Sequence, residues 1–134
     1  MLFRSSLLTS QLLINIFEKN TPLHDGAIIV RGDRVVAATC YLPLSDSMTI
    51  SKELGTRHRA AIGISEVSDS LTIIVSEETG AVSVAKTGRI YRSLDQDGLR
   101  EHLKNIQNAE SEPSRLHTLQ RRLKDAKKRR KTTD

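Results

Sequence analysis

Two short apolar runs on either side of a tight turn constrain the fold of this chain most. The first run is Ala27 to Val30, the second is Val35 to Cys40, and Gly32-Asp33 lies between them. Apolar runs rich in β-branched residues that flank a glycine turn are typical of a β-hairpin, and the lack of polar interruption favours burial. The sequence therefore predicts a hairpin at 27–40 with both strands largely buried.

Along the rest of the chain, segments with helical spacing of apolar residues alternate with further short apolar runs. We expect a helix within 5–19 that ends before Pro22, a second helix over 57–67, and a last helix over 95–106. Glycines at 80 and 88 separate three predicted strands at 71–75, 81–85 and 89–91. The sequence therefore predicts an α/β (α+β) fold in which helices flank a mixed β-sheet. The inward face predicted for the second helix comprises Ala60, Ala61, Ile64 and Val67.

Polar motifs stand near both ends of the stretch 21–59. Asp25-Gly26-Ala27 leads into the first strand, and its glycine indicates a position where a side chain would obstruct a turn or a ligand. Thr56 is predicted to cap a helix whose first turn carries Arg57-His58-Arg59, so that backbone N–H groups and guanidinium groups face one anion. Each motif alone is also consistent with a plain turn or a solvated helix start. Together they predict a site that holds and activates a phosphate ester.

The surplus of positive charge lies in the C-terminal tail. Lys and Arg total 21 against 16 Asp and Glu, a formal net charge of +5 over 134 residues. Residues 113–134 hold nine bases and two acids, a net charge of +7, and 127–131 is an unbroken basic run. Leu116, Leu119 and Leu123 have the spacing of a short amphipathic helix. The tail predicts either attachment to nucleic acid or anionic lipid, or a solubilising segment, and its lack of aromatic residues favours the second.

Cysteine content and hydropathy bear on the compartment. Cys40 is the one cysteine, which excludes an internal disulfide, fits a reducing compartment, and is most simply a small buried hydrophobe. No apolar run approaches the roughly 20 residues that span a bilayer, and residues 1–10 lack the apolar region of a secretory signal. The chain as written is therefore predicted to be soluble and cytoplasmic, with one modest core.

Three motifs follow one another in the order Asp25-Gly26-Ala27, Gly55-Thr56-Arg57-His58-Arg59 and Ser76-Glu77-Glu78-Thr79-Gly80. With these motifs, the stretch from about 12 to 94 resembles the catalytic domain of bacterial diadenylate cyclases, specifically the membrane-anchored CdaA-type branch. The resemblance implies a nucleotidyltransferase that condenses two ATP molecules into the second messenger cyclic di-AMP and two pyrophosphates. It also implies the fold of that domain.

The resemblance assigns roles to individual residues. Asp25 would help to activate the ribose 3′-hydroxyl that attacks the α-phosphate of the second ATP, with Gly26 and Ala27 shaping the backbone around the nucleotide. His24 and Glu78 would contact a divalent ion, and mixed nitrogen and oxygen ligation suits Mn²⁺ or Co²⁺ somewhat better than Mg²⁺. The residues that would bind ATP are Tyr41 and Leu42 at the adenine, and Thr56, Arg57, His58, Arg59 and Ser76 at the phosphates.

The resemblance also bears on assembly and extent. One site holds one ATP, so catalysis would require a symmetric homodimer. In the family a further helix and strands precede the segment matched here, and the anchored branch carries transmembrane helices before them. The resemblance therefore implies an N-terminally truncated member, with a partial catalytic domain at 1–107 and a basic tail at 108–134. Two alternatives are a nucleotide-binding module without catalysis and, from charge alone, a nucleic-acid-binding protein that acts through the tail.

Overall fold

A computed structural model of the chain describes residues 5–47 and 52–111. The chain divides into two compact units, residues 1–93 and 94–134. The tail features predicted at 116–123 and 127–131 lie outside the described residues. The elements, in chain order, are β1 (Ser6–Leu7), α1 (Ser10–Ile16), β2 (Ala27–Arg31), β3 (Arg34–Cys40), α2 (Thr56–Val67), β4 (Thr72–Val75), β5 (Val82–Lys86), β6 (Arg89–Leu94) and α3 (Gln96–Ser111).

The first sheet has the strand order β1-β3-β2 and is built on the predicted hairpin, which is confirmed. Gly32 makes the turn at a φ of +60°, a conformation that glycine adopts without steric cost. The strands are less buried than expected. Val35 is fully buried, but β2 is an edge strand on which Val30 is 42% exposed. Because β1 pairs only with the first two residues of β3, much of β3 is only partly covered.

The second sheet has the order β4-β5-β6, and α2 packs against β4 and β5. The central strand β5 is the most buried, since Val84 and Ala85 expose none of their surface. An apolar core lies between helix and sheet, and it comprises Leu54, Ala61, Ile62, Ile74 and Ala85 with Ile90 packed against it. The class predicted from the sequence is confirmed, although the strands form two three-stranded sheets rather than one mixed sheet. The pairings of β1 with β3, β2 with β3 and β4 with β5 are antiparallel.

The buried face of α2 differs in part from the predicted face. Ala61 is buried as expected, but Ile62 and Ser65 are buried with it. Val67 is the last residue of the helix and is 75% exposed. Ser65 is accommodated in the interior because its Oγ donates to the carbonyl of Ile62 and accepts the N–H of Gly88.

Capping sets the bounds of the outer helices. The Oγ1 of Thr9 accepts the N–H of Leu12 at 3.1 Å, so α1 begins at Ser10 and is shorter than the predicted segment. The Oδ1 of Asp95 accepts the N–H of Gly98 at 2.7 Å at the start of α3, which extends beyond its predicted end. Within the described ranges, no helix combines the length and the apolar character needed to cross a membrane.

Candidate functional site

The turn before β2 requires a glycine. Gly26 has a φ of +89°, and a Cβ there would lie 3.0 Å from the carbonyl carbon of Thr39 and 3.1 Å from the carbonyl oxygen of Cys40. The obstruction expected from the sequence is thus the backbone of β3 itself. Asp25 is exposed, and its Oδ1 accepts the N–H of Gly26 at 3.0 Å. This hydrogen bond fixes the carboxyl group at the entrance of β2, where Ala27 pairs with Cys40.

The end of β3 is irregular beside this turn. The pairing of β2 with β3 shifts twice between the Ala27–Cys40 pair and the Val30–Val35 pair, each time with an additional residue on β3. Thr39 adopts a φ of +55°, which is unfavourable for a β-branched residue and costs on the order of 1–3 kcal/mol. The strand therefore changes direction just before the predicted adenine-binding pair, in which Tyr41 is 82% exposed and Leu42 is half-buried.

The chain after this pair lies directly on α2. A Cβ at Gly63 would collide with the carbonyl oxygen of Pro43 and would lie 2.9 Å from the backbone nitrogen of Ser45. Ser45 donates its N–H to the carbonyl of Arg59 at 3.0 Å and its hydroxyl to the carboxylate of Glu66 at 2.7 Å. The segment that carries Tyr41 and Leu42 is consequently fastened to the helix that carries the Arg-His-Arg motif.

The start of α2 differs from the sequence prediction. Gly55, not Thr56, is the N-cap residue, and it has no side chain with which to cap the helix. Thr56 is the first helical residue and is exposed, so the prediction that it caps the helix was wrong. The first hydrogen bond of the helix runs from the N–H of Arg59 to the carbonyl of Gly55. The preceding N–H groups have no intrahelical acceptor, which suits this end of α2 to an anion.

An ion pair joins α2 to the turn between β4 and β5. The Nε of Arg57 lies 2.7 Å from the Oε1 of Glu77. Glu77 belongs to a turn closed by hydrogen bonds from the N–H of Ser76 to the carbonyl of Ala81 and from the N–H of Gly80 to the carbonyl of Ser76. Two motifs distant in sequence therefore meet. Sequence reasoning quoted Glu77 within its motif but gave it no role.

His58 has a perturbed environment in the first turn of α2. Partial burial of the imidazole, and secondly the positive charge of Arg92 on β6, lower the pKa of His58 below its ordinary value of 6.5. The ring is therefore neutral near pH 7. Sequence reasoning missed Arg92, since nothing in the local pattern of β6 marks it.

The lowered pKa of His58 predicts a pH-dependent stability. The unfolded chain binds the proton more readily than the folded chain, so the free energy of unfolding rises with pH from the folded pKa up to about 6.5 and then levels. Denaturant unfolding at about pH 5.5 and about pH 7.5 measures this slope. In His58→Gln the slope is expected to be smaller. In Arg92→Gln the slope is also expected to be smaller, because loss of the positive charge moves the pKa of His58 back toward its ordinary value. Parallel curves for the three chains would contradict the prediction.

His24 has a ring nitrogen suited to a metal ion. Its Nδ1 lies 2.7 Å from the carbonyl oxygen of Thr21, and because a carbonyl only accepts, Nδ1 donates; in the neutral tautomer that makes this bond, the lone pair is on Nε2. Glu78 is exposed on the β4–β5 turn. Within the described residues, no group of three or more His, Cys, Asp or Glu side chains could hold a metal ion. An ion at His24 or Glu78 would therefore require further ligands, such as phosphate oxygens.

The predicted site residues thus lie on connected elements. Arg57 contacts the turn that carries Ser76 and Glu78, the Tyr41–Leu42 segment is fastened to α2, and the Asp25 turn abuts the end of β3. The elements form an α/β domain. Residues 5–90 match the DAC family model, described as DisA bacterial checkpoint controller nucleotide-binding, and the chain belongs to this family.

Curated proteins with sequences similar to this chain are named as cyclic di-AMP synthases or diadenylate cyclases. The chain is 68% identical over 95 residues to the cyclic di-AMP synthase CdaA of Bacillus subtilis, covering 71% of this chain and 35% of the relative. It is 60% identical over 96 residues to a diadenylate cyclase of Listeria monocytogenes, covering 72% of this chain and 35% of the relative. The chain therefore spans about a third of the length of these curated relatives.

A solved structure has a similar fold. A double mutant of DacA from Staphylococcus aureus superposes with a TM-score of 0.73 at 55% identity, covering 75% of this chain and 67% of that one. A hypothetical membrane spanning protein from Bacillus cereus superposes with a TM-score of 0.66 at 50% identity, covering 67% of this chain and 44% of that one. The fold seen here is thus that of DAC domains.

Proposed function

We propose that this chain is a diadenylate cyclase domain, which condenses two ATP molecules into cyclic di-AMP with release of two pyrophosphates. The observation that carries the proposal is the 2.7 Å ion pair between Arg57 and Glu77. It brings the Arg-His-Arg motif to the turn of the Ser-Glu-Glu-Thr-Gly motif in a chain whose named relatives are cyclic di-AMP synthases or diadenylate cyclases. The resemblance assigns residues of both motifs to the phosphates of ATP.

The proposed reaction is a displacement at the α-phosphate of ATP. The carboxylate of Asp25 takes the proton of the attacking ribose 3′-hydroxyl, and pyrophosphate leaves as the new phosphodiester bond forms. Thr56, Arg57, His58, Arg59 and Ser76 hold the triphosphate and stabilise the charge on the departing pyrophosphate. Phosphoryl transfer depends mainly on such positioning and electrostatic stabilisation, which groups fixed on α2 and on a hydrogen-bonded turn can supply.

The adenine is proposed to contact Tyr41 and Leu42. The exposed phenol ring gives a flat face on which a base can stack, and the half-buried leucine gives an apolar surface beside it. Gly26 and Ala27 are proposed to shape the backbone around the nucleotide, since Gly26 allows the turn to pass close to the end of β3.

A divalent metal ion is part of the proposal. His24 would bind it through Nε2 and Glu78 through its carboxylate, a donor set that suits Mn²⁺ or Co²⁺ better than Mg²⁺. When bound, the ion supplies charge neutralisation at the phosphates. A homodimer is the second part, because ring closure joins two nucleotides and each chain holds one of them.

Turnover of ATP with Mn²⁺ by the purified chain tests the proposal. We expect a product with the mass of cyclic di-AMP, none of it when a chelator is present, and a rate per chain that rises with protein concentration as dimers form. ATP binding without product would favour the module without catalysis. Loss of ATP binding would contradict both functions, and salt-sensitive binding to nucleic acid would then favour the function based on the tail.

A further inference from the structure

The ion pair between Arg57 and Glu77 is too exposed to matter much for folding. The side chains retain 38% and 66% of their accessible surface. Exposed pairs of this kind contribute little to stability, because water screens the charges and both side chains lose freedom. Its effect on the fold is therefore small, and its geometry is more informative.

The geometry leaves one end of the guanidinium available. The Oε1 of Glu77 lies 2.7 Å from Nε, at the inner edge of the guanidinium. A guanidinium binds a carboxylate or phosphate through pairs of N–H groups, and the terminal pair lies away from Nε. A carboxylate at Nε therefore restrains the group through its inner edge, and the terminal pair is the pair that a phosphate would bind.

The position of Glu77 is itself well fixed. The turn that carries it is closed by two backbone hydrogen bonds, and the N–H of Thr79 also donates to the Oγ of Ser76 at 3.3 Å. At the other end, Arg57 lies in the first turn of α2, which is packed on the second sheet. A short contact between two fixed elements restricts the rotamers of a long side chain that would otherwise sample many.

We propose that Glu77 is a positioning residue that orients the Arg57 guanidinium toward the departing pyrophosphate. This inference rests on the proposed cyclase function. Glu77 does not touch the nucleotide and acts through Arg57. Because the charge that Arg57 stabilises develops as pyrophosphate leaves, the contribution falls on the chemical step rather than on ATP binding.

Steady-state kinetics of the full chain with ATP and Mn²⁺ test this role. In Glu77→Gln the charge is lost while the size is kept, and we expect kcat to fall about tenfold with KM changed by less than about threefold. In an Arg57→Lys background the same substitution is expected to change kcat by less than about twofold. Lysine has no planar guanidinium with paired N–H groups for Glu77 to orient. Glu101→Gln on α3 is the matched control for an exposed glutamate and leaves kcat unchanged.

The outcomes separate this inference from the function on which it rests. If the parent chain forms cyclic di-AMP and the two substitutions act additively on kcat, Glu77 does not act through Arg57 and the inference fails alone. A rise in KM with kcat unchanged also overturns it, since that assigns Glu77 to binding. If the parent chain forms no product while it is folded, the proposed function fails and the inference falls with it.

Discussion

Asp25→Asn is expected to reduce cyclic di-AMP formation by about 100- to 10,000-fold, the contribution typical of a catalytic acid or base. The amide retains an Oδ1 that can accept the N–H of Gly26, so the turn before β2 keeps its shape. What the substitution removes is the charge and the basicity needed to take a proton from the 3′-hydroxyl. Product quantified by mass over a range of enzyme concentrations measures the loss, and ATP binding is expected to persist.

Asp33→Asn provides the matched control. Asp33 lies in the turn at the opposite end of the same hairpin, is also exposed, and undergoes the same chemical change. Its activity and its unfolding curve are expected to match those of the parent. Equal losses in the two variants would assign the effect to the hairpin rather than to the carboxylate, and full activity of Asp25→Asn would remove Asp25 from the proposed mechanism.

Gly63→Ala is expected to destabilise the chain by about 3 kcal/mol or more. In an open helix the same change stabilises by up to about 1 kcal/mol, so the sign of the effect is itself a test. The reason is steric. A Cβ would collide with the carbonyl oxygen of Pro43 and would lie 2.9 Å from the carbonyl carbon of the same residue, and backbone atoms cannot move aside as a flexible side chain can. Denaturant unfolding measures the change.

Gly55→Ala is the control for the loss of a glycine. A Cβ at Gly55 meets nothing within 4 Å, and the φ of −75° suits alanine. The cost is expected to stay below about 1 kcal/mol, mainly because alanine is a poorer N-cap than glycine. A stable Gly63→Ala chain would mean that the 43–45 segment is not held against α2 as described.

Local signals account for the parts of the fold and site that the sequence predicted. The hairpin follows from two apolar runs and a glycine turn, and the need for Gly26 follows from its place between a carboxylate and a strand. Such signals act between neighbouring residues, so they can be recognised without knowledge of the rest of the structure. The class of the fold follows from the alternation of these local elements.

Contacts between distant segments account for what the sequence did not predict. The pairing of Arg57 with Glu77 depends on how α2 lies against the β4–β5 turn. The spacing of apolar residues along the sequence does not predict that arrangement. The importance of Gly63 was hidden for the same reason, because within a helix it appears only as a weak helix former. Thr56 was assigned as a cap from residue type, whereas the backbone conformation gives that position to Gly55.

The attachment of the 43–45 segment to α2 has a consequence for substrate selection. Tyr41 and Leu42 lie just before the hydrogen bond from Ser45 to Arg59, and the proposed phosphate-binding residues other than Ser76 lie in the first turn of the same helix. In the proposed function, α2 therefore fixes the distance between the residues that contact the base and those that contact the phosphates. The site would therefore select a nucleotide by the distance between its base and its phosphates as well as by the base itself. One residue inserted between Leu42 and Pro43 would change the distance between the base contacts and the phosphate contacts, and with it the length of nucleotide that fits.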